Sequence, residues 1–255
     1  DLVSISIPNE LHAEFAIAAL TAGKHVFLEK PMALNPADCR RILAAERESG
    51  RRLGIDFELR HSFMTGQRVK AILDSGEIGD LRQLQLFHVR GGWVAEGAGL
   101  WRIRRATCGG IILMDMCHMI DLFRFFAGEV ADVQAFAAPN LIPHYDFPDN
   151  STVMLFFESG VLGVLTETHA VCPWHVAGNR WEEAGHEDVF TVVGSCGSLR
   201  VDVWKNRITV AALRNYPPGS DATRLELVRN EDFNGRSPGE LCHDTPGFCL
   251  DFINR

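Results

Sequence analysis

Three stretches of this sequence carry side chains of types that do chemistry. The first is Glu29-Lys30-Pro31, which ends the run HVFL. Val26, Phe27 and Leu28 read as a buried strand, and Pro31, which has no backbone N–H, sets the direction in which the chain leaves it. In open α/β sheets that edge is where ligands bind. A carboxylate beside an ammonium there is either a solvated surface pair or part of a site. The second stretch holds Asp115 and His118 in the apolar run GGIILMDMCHMIDLFRFFAG. Residues three apart share a helix face, and imidazole titrates near neutrality, so it can move protons. A lone histidine in such a helix is equally a hydrogen-bonded core residue, and Asp115 equally a surface carboxylate. The third is His169-Ala-Val-Cys172-Pro-Trp-His175, with His186 nearby. These are metal-ligand types, but a strand does not converge side chains three apart, so a zinc site would need a turn at Cys172-Pro173. A sheet edge facing a substrate is as natural a home for them, and no metal is expected.

Elements must position these groups. Over residues 1–61 strands and helices alternate. LVSISIP reads as a strand, then NELHAEFAIAALTAGK as a helix with Asn9 as N-cap and Gly23 as stop. HVFLEKP is the second strand. NPADCRRILAAERESG is the second helix, with Asn35 as cap, Pro36 at the first helical position and Gly50 at its end. RRLGIDFEL is a third strand. This alternation implies βαβ units and a parallel sheet. Residues 62–255 change rhythm: SFMTGQRVKAILDSGEIG and GGIILMDMCHMIDLFRFFAG read as helices and LRQLQLFHV as an alternating strand. From Ala131 onward strands dominate: DVQAFAA, STVMLFFES, VLGVLTETHA, DVFTVVG, SLRVDVW and ITVAAL. Short turns between consecutive strands imply an antiparallel sheet. The expectation is an α/β unit followed by an α+β domain, divided near His61.

Composition narrows the function. The 255 residues carry 25 basic and 33 acidic side chains, a net charge of −8, which argues against nucleic acid or an anionic membrane as partner. No apolar run approaches the roughly 20 residues of a membrane span. No basic-then-apolar leader opens the chain. Seven cysteines without a C-x-x-C pair fit reduced thiols and a cytoplasmic location. The chain opens on Asp1 directly into a strand and closes on FCLDFINR, as an internal fragment of a longer protein would.

PNELH, AGKHVFLEKPMA, ILDSGEIG and GGIILMDMCHMID, in that order across nearly the whole chain, together resemble the Gfo/Idh/MocA family of NAD(P)-dependent oxidoreductases. The resemblance implies the C-terminal part of a Rossmann dinucleotide-binding domain, then an α+β domain with a large, mainly antiparallel sheet that binds substrate and oligomerises. NAD or NADP would lie across the first domain and a sugar, polyol or cyclitol between the two. No G-x-G-x-x-G leads into a helix in this sequence, so the cofactor is inferred from the nicotinamide side alone.

By the same resemblance Lys30 supplies a cation and a proton path at the reacting hydroxyl, and His118 shares that acid–base work. Glu29 positions the nicotinamide end, with Pro31 beside it, while Pro8, Asn9 and His12 lie against the cofactor. Asp115 is the third catalytic candidate. The family spacing is Asp-x-Gly-x-His, whereas Asp115-Met-Cys-His118 is one residue short, which alters its geometry toward His118. Arg102, with Trp101 and Asp121, matches positions often polar in the family and is the candidate for substrate contact. The implied activity is hydride transfer between NAD(P) and a hydroxyl carbon. Alternatives are a glycosidase-like enzyme that oxidises transiently to permit elimination, and a non-catalytic dinucleotide-binding regulator. A homo-oligomer is expected.

Overall fold

The computed structural model describes residues 1–89, 97–169, 187–203, 205–212 and 226–235, together with Cys249, Phe252 and Ile253. Strands β1 (Leu2–Ile5), β2 (His25–Leu28) and β3 (Leu53–Ile55) form a parallel sheet in that order. Leu28 lies in register between Ile5 and Ile55, so the three carboxyl ends finish together. Helices α1 (His12–Thr21) and α2 (Pro36–Ser49) join them. Ala16, Leu20 and Ile42, all fully buried, pack with Val26 and Leu28 of the central strand. Helix α2 has the ends its sequence calls for: Asn35 Oδ1 accepts from the Asp38 N–H at 2.9 Å, and Gly50 stops the helix at φ 64°.

The chain then crosses to a second sheet through a wide π-turn, Phe63–Arg68, which leads into α3 (Val69–Asp74). Strand β4 (Leu81–Val89) is followed by the short helix α4 (Arg105–Cys108). A second π-turn (Ile112–Met116) opens directly into α5 (Cys117–Ala127). The remaining strands are β5 (Val130–Ala137), β6 (Asn150–Phe157), β7 (Leu162–Thr168), β8 (Glu187–Gly194), β9 (Gly197–Asp202), β10 (Arg207–Ala212) and β11 (Glu226–Asp232). Their order is β11-β10-β9-β8-β4-β7-β6-β5.

This sheet departs from the expected run of hairpins in one place. Strand β4, first in sequence, lies between β8 and β7 and runs parallel to β7, so the sheet is mixed. Strand β11 is an addition: its polar sequence ELVRNED shows no apolar alternation, and it pairs at the sheet's end through Arg207–Asp232 and Thr209–Asn230 contacts.

Helix α5 covers the inner face of the sheet. Leu122 and Phe123 are fully buried against Leu84, Leu86, Leu155, Leu165 and Phe190. Burying one such side chain contributes about 1.5–3 kcal/mol. The helical run Arg105–Ala127 is long and apolar enough by composition to cross a membrane, contrary to the sequence expectation, and half of its most apolar window is buried inside the fold. Its apolarity has a local cause, because α5 is the core helix of the second sheet.

Candidate active site

The carboxyl ends of β1, β2 and β3 lead into Pro8, Glu29-Lys30 and Glu58, respectively. Pro8, Glu29 and Lys30 are partly exposed there, whereas Pro31 is buried behind a cis Lys30–Pro31 peptide bond. Glu29 Oε2 accepts the Lys30 backbone N–H at 3.2 Å, which turns the carboxylate back over its own strand end. The Lys30 ammonium reaches across to the second π-turn and donates to the Met114 carbonyl at 2.5 Å. An ammonium has three N–H donors, so this contact aims the group and leaves two for a ligand. A half-exposed carboxylate, an ammonium and open backbone at the ends of parallel strands fit the nicotinamide end of a dinucleotide.

Helix α5 presents His118, Asp121 and Phe125 on one face (i, i+3, i+7), and the turn after β3 grips all three. The Glu58 carboxylate lies 3.2 Å from His118 Nδ1, and the Phe57 ring meets the imidazole edge-on at 6.1 Å. Arg60 forms a two-pronged pair with Asp121, its Nε donating to Oδ2 at 2.7 Å, and its guanidinium stacks 5.5 Å from the Phe125 ring. Glu58 and Asp121 are both buried. Burial pushes the Cys117 thiol at the start of α5 up to about 12, with Lys30 opposing the rise and Asp115 and Glu58 adding to it.

Asp115 sits in the π-turn, and its carboxylate lies 3.7 Å from Nε2 of His169 in the second sheet. His169 also lies 3.0 Å from Glu167 Oε1, which in turn lies 3.7 Å from His88 Nδ1. The hydroxyl of Tyr145 stands 3.5 Å from His169 Nδ1. His88, Glu167 and His169 continue the inward-facing positions of β4 and β7, where Leu86 and Leu165 lie paired one step earlier. The apolar core of the second sheet thus ends in a buried polar cluster at the edge nearest the first.

Other sequence candidates take different roles. Asn9 does not cap α1; a 3₁₀ turn (Asn9–Leu11) intervenes, and its buried amide donates to the Cys108 carbonyl at 2.9 Å, tying α4 to the first sheet. His12 is fully buried with its ring nitrogens 2.7 Å from the Pro31 carbonyl and 2.9 Å from that of Ile7. Asn9, His12 and Pro31 are all buried, and these hydrogen bonds brace the segments at the strand ends. Arg102 is exposed, its guanidinium 4.9 Å from the Trp101 ring, and it makes no described contact with the cluster around Lys30. Cys172, His175 and His186 lie outside the described residues. The described cysteines are free thiols.

Glu58 and Glu167 were not among the sequence candidates. Both had a readable signal. Glu58 follows the third strand as Glu29 follows the second, and Glu167 and His169 fall on the core side of a period-two strand.

The GFO/IDH/MocA C-terminal domain model matches residues 67–200, and the model of the oxidoreductase family's NAD-binding Rossmann fold matches residues 1–57. The chain is 35% identical over 130 residues to a 1,5-anhydro-D-fructose reductase of Ensifer adhaerens, covering 51% of this chain and 38% of the reductase. It is 42% identical over 130 residues to the inositol 2-dehydrogenase of Salmonella typhimurium, covering 51% of this chain and 36% of that protein. These matches span well under two thirds of either relative. Among solved structures, a levoglucosan dehydrogenase in complex with NADH shares the fold, with a TM-score of 0.72 at 24% identity over 91% of this chain and 60% of that one. The WlbA dehydrogenase of Bordetella pertussis, in complex with NADH and UDP-GlcNAcA, gives a TM-score of 0.71 at 27% identity, over 85% of this chain and 60% of its own. With both halves matched in order around one cleft edge, the chain belongs to the Gfo/Idh/MocA family of oxidoreductases.

Proposed function

We propose that the protein is an NAD(P)-dependent dehydrogenase that moves hydride between a nicotinamide cofactor and a hydroxyl carbon of a sugar, polyol or cyclitol. One observation carries this reading. The Lys30 ammonium, which follows the carboxyl end of β2, reaches the Met114 carbonyl in the π-turn before α5, and Glu58, which follows β3, stands beside the His118 imidazole of α5. The bound dinucleotide would supply the hydride-accepting ring. Pro8 and Glu29 form the wall it would rest on, and the braces Asn9 and His12 keep that wall in place.

In the oxidising direction, the two remaining N–H groups of Lys30 bind the substrate oxygen and favour its alkoxide character as the C–H bond breaks. His118 Nε2 accepts the hydroxyl proton, and Glu58 stabilises the imidazolium as it forms. In reduction the same nitrogen returns the proton. Sugar and cyclitol relatives such as the reductase and the inositol dehydrogenase support this substrate class. The outer face of β6 and β7, with half-exposed Met154, Phe156, Leu162 and Val164, supports association with a second copy.

The test is a screen of the full-length protein with NAD and NADP against cyclitols, polyols and sugars, reading reduced cofactor, with Lys30→Ala in parallel. Turnover with at least one cyclic polyol is expected, and Lys30→Ala should reduce it by about 10²-fold or more while dinucleotide affinity persists. Turnover unchanged in Lys30→Ala would remove the lysine from the reaction and sink this mechanism.

A further inference from the structure

We propose that Asp115, Glu167 and His169 form a binding site for a divalent cation, a site distinct from the Lys30–His118 pair and independent of the dehydrogenase reading. The three side chains come from two segments far apart in sequence. Asp115 descends from the π-turn before α5, while Glu167 and His169 alternate inward at the end of β7. Their donor atoms all lie within 4.8 Å of one another. The side chains of Glu167 and His169 are fully enclosed, and that of Asp115 is 13% exposed.

The geometry around the imidazole favours a cation over a hydrogen-bonded triad. Both carboxylates address the same nitrogen: His169 Nε2 is 3.0 Å from Glu167 Oε1 and 3.7 Å from Asp115 Oδ2. A single N–H directs one proton along one line and serves one of the two oxygens well. A cation at the centre of the triangle serves all three. With metal–donor bonds of about 2.0–2.2 Å, neighbouring donors stand roughly 3.0–3.5 Å apart, so the two spacings to His169 Nε2 need little adjustment and the carboxylates close in on the ion. On the other side of the ring, the Tyr145 hydroxyl lies 3.5 Å from Nδ1, where a partner fixes the tautomer and turns Nε2 toward a metal. His88, 3.7 Å from Glu167, supports the carboxylate from the neighbouring strand.

Two carboxylates and one imidazole suit manganese or zinc. A dication also matches the two negative charges that the fold brings into this enclosed corner. Bound there, it would pin the π-turn to the end of β7 and so fix the start of α5, where Met114 receives Lys30.

The probe is Mn²⁺, because the seven thiols of the sequence compete poorly for a hard ion. Purified protein, dialysed against chelator and titrated with Mn²⁺, is followed by the loss of the free-ion electron-spin-resonance signal. One ion per chain is expected. Glu167→Gln and His169→Gln should each weaken binding at least tenfold, and Tyr145→Phe by less. Asp115→Asn, at the rim and least able to disturb folding, provides the same test if a buried variant fails to fold. Absence of uptake at millimolar Mn²⁺ overturns the proposal and leaves the trio a buried ion pair. Uptake undiminished in Asp115→Asn and Glu167→Gln also overturns it, since the ion then sits elsewhere.

Discussion

Replacing Glu58 by glutamine keeps the shape of the His118 contact and removes its charge. The carboxylate lies 3.2 Å from Nδ1, with only 7% of the Glu58 side chain and 13% of the His118 side chain exposed. At that separation, and at an effective dielectric constant near 20, a carboxylate and an imidazolium attract by about 5 kcal/mol gross. Only part of this bears on turnover. Glutamine keeps a polar group beside the ring, and solvent screening reduces the remainder. The loss falls chiefly where positive charge forms on the imidazole, in the step that removes the hydroxyl proton. A 10- to 100-fold fall in kcat, about 1.4–2.7 kcal/mol, is therefore expected for Glu58→Gln, with little change in dinucleotide Kd. Glu58→Asp, which restores charge at a longer reach, should recover part of it. Stopped-flow and steady-state measurements on the full-length protein provide the numbers, with Tm read in parallel. A folded Glu58→Gln variant within twofold of the parent kcat, in a protein that Lys30→Ala does inactivate, would show that His118 does not carry the proton and that Glu58 only packs the turn.

Two further outcomes concern stability. Glu231 accepts from Arg68 at 2.6 Å through both oxygens and from Arg229 at 2.5 Å, and the Arg68 hydrogen bonds, aided by Arg229, hold its carboxyl at about 2 against an ordinary 4.5. A depressed carboxyl stabilises the fold above its unfolded value, so this contribution is complete above pH 4.5 and lost as pH falls toward 2. Thermal melts of Glu231→Gln should lie below the parent by about 1 kcal/mol at neutral pH, allowing for solvent screening, and the difference should vanish at the acid end of that window; parallel curves throughout would contradict the assignment. Gly66 lies in the first π-turn, where an added Cβ would sit 2.5 Å from the Leu59 carbonyl and press on that of Arg60. Gly66→Ala should cost about 1–3 kcal/mol by chemical denaturation and lower kcat through the displaced Glu58–Arg60 turn; a variant of unchanged stability would mean that the turn has room to yield.

How much of this was legible in the sequence follows from the range of each interaction. The strand–helix alternation, the Asn35 cap, the Gly50 stop and the placement of Lys30 at a strand exit depend on neighbours within one or two turns, and the sequence alone determines them. The apolar period also places α5 and the inner faces of β4 and β7 correctly. Period, however, states which side of an element is buried and not what lies opposite. Only the tertiary structure sets β4 between β8 and β7 and pairs the polar β11 with β10, because cross-strand pairing joins segments far apart in the chain. Only it takes Asn9 away from helix capping, since the Cys108 carbonyl, 99 residues on, needs a donor in a buried place. The partners of Asp115 and His118 have the same origin: across the π-turn that opens into α5, Asp115 meets His169 and His118 meets Glu58. Local pattern selected the residues, and long-range packing chose their partners, since a buried charge is tolerated only beside a group that answers it.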